Sequence, residues 1–214
     1  MENLKKSIDF AITSYCQAKC RSCIRTNKDT GEAEDWLTPR HQPYDLFEKY
    51  TAEIDKSTVS FVKFCGQTGD PMMHPQISNF VDHAFNFADD VQINTNGGLR
   101  STDWYQEMAE RYGKKLTITF GIDGIDAETN WKYRENVNFE RAMENMKTYA
   151  NSGGRTVWHF LVFDWNWHQI PNASLMSKEI GVDKIEFKLN TATYGLLNPK
   201  KNERVNELIC RYNT

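Results

Sequence analysis

Short apolar runs alternate with longer amphipathic stretches along the whole chain, and this alternation leaves few architectures open. The apolar runs span 8–13, 59–64, 91–95, 116–122, 156–163 and 184–189. Their β-branched and aromatic content and their lengths fit buried strands. Stretches at 43–54, 75–87, 102–112, 139–151 and 168–180 carry helical periodicity. Ser101 stands just before one of these, and Gly153-Gly154 and Gly181 follow the ends of two others, which is helix punctuation. Strands joined through helices lie parallel with right-handed crossovers. Six such units are too few for a closed eight-unit barrel. The expected class is therefore α/β, a partial (β/α)6 barrel with its helices outside, formed as one domain over 1–214. No internal repeat, low-complexity segment or interdomain linker interrupts it, and 26–43 reads as one long loop.

In such a sheet, active-site groups gather at the carboxyl ends of the strands. The unusual residues do follow strands. The first strand leads into Cys16, Cys20 and Cys23, a C-x3-C-x2-C run. Three thiolates on one loop would hold three irons of a cubane cluster and leave the fourth open to an exogenous ligand. Zinc is a rival reading, although structural zinc usually takes paired C-x2-C or C-x4-C knuckles, and the other two cysteines, Cys65 and Cys210, are far away in sequence. Packing or redox thiols are a third reading. Disulfides fit poorly with five cysteines.

The second strand leads into Cys65-Gly66-Gln67-Thr68-Gly69-Asp70-Pro71. Its glycines would let the backbone approach a ligand closely, and Asp70 would suit an ammonium group. The bland alternative is an ordinary turn with a helix-entry proline. Asn94-Thr95-Asn96-Gly97-Gly98 after the third strand is either a plain turn or a set of donors for a polar ligand. Asp123, after the fourth, suits ribose hydroxyls. Arg134 would clamp a carboxylate, against the default of a solvated arginine. After the fifth strand, Asp164, Trp165, Asn166 and Trp167 offer surfaces for a base or substrate, with Tyr194 further on, though aromatics more often simply pack.

Composition narrows the partners. The chain has 26 Lys+Arg against 29 Asp+Glu and no basic tract, so nucleic acid is not expected. No apolar stretch approaches about 18 residues, so no membrane span is expected. The amino-terminal Met1-Glu2-Asn3-Leu4-Lys5-Lys6-Ser7 lacks the apolar segment of a signal peptide, and free thiols in this number suit a reducing cytoplasm.

Taken together, these residues resemble the radical S-adenosylmethionine superfamily from the first strand to about Leu189. Cys16, Cys20 and Cys23 coincide with its cluster triad. Thr68-Gly69-Asp70-Pro71 looks like its Gly-Gly-Glu-Pro motif, which receives the methionine amino group. Gly121-Ile122-Asp123-Gly124 with Arg134 is similar to the Ser-Ile-Asp-Gly segment and trailing arginine of the maturase-like branch. The resemblance implies a [4Fe-4S] cluster and S-adenosyl-L-methionine, the latter held by Gln67, Thr68, Gly69, Asp70, Asn94, Asp123 and Arg134. It implies an enzyme fed by an electron donor such as flavodoxin or ferredoxin, acting on a peptide or small-molecule substrate. A cluster- or cosubstrate-binding scaffold without catalysis is the alternative, as is the zinc module. Four positions depart from the pattern: Ser22 stands where an aromatic residue usually lies near the adenine, Gly121 replaces a serine, and Thr68 and Asp70 replace glycine and glutamate. Relatives of that branch continue into a cysteine-rich extension; residues 190–214 read either as its truncated start or as a terminal helix with a lone Cys210.

Overall fold

A computed structural model describes residues 5–189 and 203–213. Six strands form one sheet in the order β1 (Lys6–Phe10), β2 (Val59–Phe64), β3 (Asp90–Thr95), β4 (Leu116–Gly121), β5 (Arg155–Val162) and β6 (Lys184–Leu189), every neighbouring pair parallel. The helices are α1 (Tyr44–Thr51), α2 (Ile77–Phe87), α3 (Thr102–Tyr112), α4 (Ala127–Trp131), α5 (Phe139–Asn151), α6 (Ile170–Ile180) and α7 (Glu203–Tyr212). The expected α/β class of parallel strands and helical crossovers is what the chain forms. No helix among the described residues is long and apolar enough to cross a membrane.

The strands alternate more sharply than buried strands would. On β3, Val91, Ile93 and Thr95 are buried while Asp90, Gln92 and Asn94 are only partly so. On β5 the buried set is Thr156, Trp158, Phe160 and Val162. Period-two alternation thus sends one face against the helices and leaves a polar face opposite. Phe47 of α1 and Phe80 of α2 pack with Phe64 behind β2. Tyr105 of α3 and Tyr149 of α5 pack with Phe120 of β4, and the Tyr149 hydroxyl donates to Leu116 O at 2.6 Å. On the opposite face Lys63 and Asp9 pair at 2.7 Å, and Gln92 Nε2 donates to Asn94 Oδ1 at 2.6 Å and to Thr119 Oγ1 at 2.9 Å.

Among the boundaries that differ from the sequence reading, two have a visible cause. The first strand ends at Phe10 rather than Thr13, because Thr13 turns away to form an antiparallel bridge with His41. The helix expected from 75 begins at Ile77, preceded by a 3₁₀ turn, Pro71–Met73, whose amino end is capped by Asp70. At the far edge, Val205 of α7 is buried, and Asn213 takes the N–H of Phe187 at 2.7 Å and donates to its carbonyl at 2.8 Å. The end of the described chain therefore hydrogen-bonds to the sheet edge.

Candidate cofactor-binding site

A cavity of about 230 Å³ opens at the carboxyl ends of the strands. Cys16, Cys20 and Cys23 line it together with Cys65, Gly66, Gln67, Gly69 and Asp70 from the turn after β2, with Asn94, Thr95, Asn96, Thr119, Gly121 and His159 from the sheet and its strand ends, and with Ala18, Arg25, Tyr133 and Arg134. The cysteine loop is shaped by its own backbone: Cys23 N donates to Cys20 O at 3.0 Å, and Arg25 Nη1 donates to Cys16 O at 2.9 Å. Asn136 and Glu135 tie the loop down through Gln17 O and Lys19 N. Burial pushes the Cys16 thiol up to about 12, helped by the nearby Asp70 carboxylate. Burial likewise raises Cys20, against the pull of Arg134. Low-dielectric surroundings disfavour bare thiolates, so positive charge at this wall is what would stabilise them.

The turn after β2 needs its glycines. A Cβ on Gly69 would lie 2.2 Å from Thr13 O, and one on Gly66 would lie 1.4 Å from Gly69 O. Both clashes are with backbone, so the turn and the cysteine-loop stem close on each other only because no side chain intervenes. Asp70 is 4% exposed and its carboxylate is already occupied. It accepts from Met72 N at 2.9 Å, Thr95 Oγ1 at 2.9 Å, Asn96 N at 2.8 Å and Asn96 Nδ2 at 2.7 Å. Burial pushes its pKa above the usual carboxylate range, opposed by those donors. An ammonium partner for Asp70, as expected from sequence, would have to compete with four protein donors.

Asp123 is fully buried. It accepts from Arg134 Nε at 2.6 Å and Leu161 N at 2.7 Å, so it faces its own protein rather than the cavity. Burial would lower the Arg134 guanidinium, but the facing Asp123 carboxylate holds it above the ordinary value. Asn166 is also buried, donating to Asp123 O at 2.8 Å and Leu161 O at 2.9 Å. Of the sequence-predicted residues, Cys16, Cys20, Cys23, Gln67, Gly69, Asp70, Asn94 and Arg134 come together around the cavity. Thr68 instead lines a separate groove with Thr13 and His41. Asp164, Trp165 and Trp167 are not among the lining residues; Trp165 stacks on Phe163 with ring centres 4.4 Å apart. Tyr194 lies outside the described residues.

Several residues around the site were not singled out individually from the sequence. Gln17 and Asn96 exchange amide hydrogen bonds at 2.7 and 3.2 Å, and Asn96 Nδ2 also points to Cys16 Sγ at 3.9 Å. Their signal was adjacency, one sitting between cysteines and the other inside the turn after β3. Tyr133, whose hydroxyl bonds Ser22, brings an aromatic ring to the cavity from the α4 segment. His159 reaches it from mid-strand, a position that only alternation marks.

The sequence profile of the radical SAM superfamily matches residues 10–173. The chain belongs to that superfamily. A curated relative, the tungsten-containing aldehyde ferredoxin oxidoreductase cofactor-modifying protein of Pyrococcus furiosus, is 25% identical over 219 residues, covering 95% of this chain and 55% of its own. Among solved structures, Streptococcus suis SuiB bound to S-adenosylmethionine superposes with a TM-score of 0.76 at 18% identity, covering 98% of this chain and 48% of SuiB. AdoMet-bound anSMEcpe gives 0.73 at 13% identity, covering 96% and 60%. At these identities the structural likeness is one of fold. The radical SAM chain described here spans about half the length of the relatives it matches.

The residues present fit the two groups the superfamily uses. Three thiols line one cavity, the glycines of the turn after β2 let that turn close against the stem of the cysteine loop, and an arginine paired with Asp123 brings a cation to the same cavity. Among the described residues, no three Cys, His, Asp or Glu side chains converge closely enough to hold a single metal ion.

Proposed function

We propose that this chain is a radical SAM enzyme in which Cys16, Cys20 and Cys23 hold a [4Fe-4S] cluster and the adjoining cavity holds S-adenosyl-L-methionine. The observation that carries this reading is that the three thiols and the Gly66–Gly69 turn line one cavity. When bound, the cluster would supply the single electron for reductive cleavage of the sulfonium, giving methionine and a carbon-centred radical able to take hydrogen from an unactivated carbon. The protein's part is placement. Gln67 and Asn94 offer amide groups at the cavity wall, Arg134 offers a cation fixed by Asp123, and Tyr133 offers an aromatic face where Ser22 leaves none. Asn96 Nδ2 approaches the Cys16 sulfur at 3.9 Å, a contact that would tune the potential of a cluster held there. None of these groups is asked to act as acid or base. A small one-electron carrier of the flavodoxin or ferredoxin kind supplies the electron. The substrate is a peptide or protein side chain, a choice supported by SuiB, whose fold this chain shares and which has been solved with its precursor peptide SuiA.

Anaerobic reconstitution with iron and sulfide tests the reading. A brown protein is expected, whose reduced-cluster EPR signal changes when S-adenosylmethionine is added, and Cys20→Ala should lose both colour and cosubstrate cleavage. A colourless protein carrying zinc at the triad would refute the cluster. A brown protein that makes no 5′-deoxyadenosine with reductant and candidate peptides would favour a binding scaffold.

A further inference from the structure

Arg25 lines the same cavity as the three cysteines, and the function proposed above gives it no task. It stands two residues past Cys23, yet its side chain reaches back to the start of the cysteine loop. Nη1 donates to Cys16 O at 2.9 Å and to Ala18 O at 3.3 Å. The backbone of Arg25 is held from the other direction. Its carbonyl accepts from Glu34 N at 2.9 Å, next to the antiparallel bridge between Thr26 and Ala33. The Asn27 side-chain oxygen makes the turn of that hairpin, accepting from Asp29 N at 3.0 Å and Thr30 N at 3.1 Å. Arg25 therefore closes the segment from Cys16 to Cys23 into a ring, braced by a hairpin within the stretch that reads from sequence as one long loop.

The charge of this guanidinium is not spent on the protein. Arg134 pairs with Asp123 at 2.6 Å, but Arg25 stands in no ion pair among the described residues. Its Nη1 meets neutral carbonyls, and its Nε is buried without a hydrogen-bond partner. A half-buried cation without an anion is costly unless something negative comes to lie beside it. Around Cys16 two charges oppose each other, Asp70 disfavouring the thiolate and Arg25 favouring it. Three thiolates make a bound cluster anionic, and the electron it takes up adds to that charge. A fixed cation on the same loop favours the more negative form. We infer that Arg25 is a positioning residue for the cluster, which ties Cys16 to the Cys23 end of the loop and whose uncompensated charge raises the cluster's reduction potential. The inference rests on the function proposed above, because it needs a cluster at the triad.

The test uses the chain reconstituted anaerobically without S-adenosylmethionine, with its iron content measured and cluster reduction followed by EPR at set potentials. Arg25→Gln keeps an N–H donor for the carbonyls and removes the charge, whereas Arg25→Lys keeps the charge. Because Nη1 touches the Cys16 backbone, the charge lies within about 10 Å of that residue's sulfur. At an effective dielectric of about 20, its loss should lower the ratio of reduced to oxidised cluster about tenfold. For one electron that is a fall of about 59 mV in the midpoint. Arg25→Lys should keep the ratio within about threefold of wild type. An Arg25→Gln protein with full iron content and a wild-type midpoint overturns the assignment, as does a fall shared equally by Arg25→Lys. If Arg25→Gln takes up too little iron to titrate, the lysine variant decides. Full iron content with a wild-type midpoint in Arg25→Lys supports the assignment, and an iron loss equal to that of Arg25→Gln overturns it. A wild-type protein that takes up no iron overturns the proposed function instead.

Discussion

Asp70 separates two roles that the sequence alone cannot distinguish: a carboxylate held out to a ligand, or one that ties the protein to itself. Its four protein donors favour the second, and the Asp70→Asn substitution measures the difference. In the native protein Met72 N approaches Oδ1, Asn96 N and Asn96 Nδ2 approach Oδ2, and the Thr95 hydroxyl lies 2.9 Å from both oxygens. An asparagine keeps only one oxygen, so its amide nitrogen must face a pair of donors. The milder orientation turns the nitrogen toward Oδ1, where the Thr95 hydroxyl can rotate to accept. Met72 N is then left unpaired at the start of the 3₁₀ turn, which costs about 1–3 kcal/mol for a buried orphan. The bonds from Asn96 also lose their charge assistance, roughly half their strength. Relief from burying a charge offsets part of this. A net loss of about 2–3 kcal/mol follows from these contributions.

Equilibrium urea unfolding under reducing conditions, without cluster or ligand, reads that loss directly. For a chain of this size it corresponds to a fall in melting temperature of about 5–10 °C. The result that refutes the reasoning is an Asp70→Asn protein within about 0.5 kcal/mol of wild type whose affinity for S-adenosylmethionine has nonetheless collapsed. That outcome would mean the carboxylate turns outward to the ligand.

Three further outcomes are expected. Gly69→Ala forces a methyl against the backbone of Thr13 and Ser14, which cannot swing aside, and should cost about 1–3 kcal/mol or more in the same urea assay. His74 accepts from Gln76 N at 3.1 Å and reaches Gln42 O at 2.9 Å, and burial holds its pKa below the 6.5 of a free histidine. The unfolded chain therefore takes up a proton as pH falls through 6.5 while the folded chain does not, so wild-type stability is full above 6.5 and declines below it. His74→Asn should be less stable near neutrality yet show a flatter decline toward about pH 5.5 in urea melts run across pH. Cys210 is exposed on α7 and does not line the cavity, so Cys210→Ala should leave iron content and visible absorbance after reconstitution unchanged.

Most of the architecture was legible because strand and helix periods differ, and buried positions repeat those periods. Val91 and Ile93, or Trp158 and Phe160, mark strands, while Phe80, Val81 and Ala84 mark one helix face. The short α4 was not legible, since five residues carry too little period to show. The polar face of the sheet was hidden for another reason. Lys63, Gln92 and His159 sit singly between apolar residues, where each looks like the exposed half of an ordinary strand. Only the parallel register, which sets Gly121 beside His159 and Asp9 beside Lys63, shows them as one surface.

The site was half legible for the same reason. Motifs announce residues that meet through sequence neighbours, as the three cysteines do, but not those whose partners arrive from another strand. Asp70 looked like a ligand because nothing near it in sequence could satisfy a carboxylate; Thr95 and Asn96, 25 and 26 residues on, supply the missing donors. Asn96 then continues to Gln17 and to Cys16 Sγ. The turn after β2, the end of β3 and the cysteine loop thus share one hydrogen-bond network, in which no single loop sets its own geometry. Residues in such a network couple by about 0.5–3 kcal/mol. A Gln17→Ala, Asp70→Asn double-mutant cycle should therefore show non-additive stability, although the two side chains bond to Asn96 and not to each other. Strict additivity would mean that the cysteine loop is fixed by its backbone contacts to Glu135 and Asn136 alone.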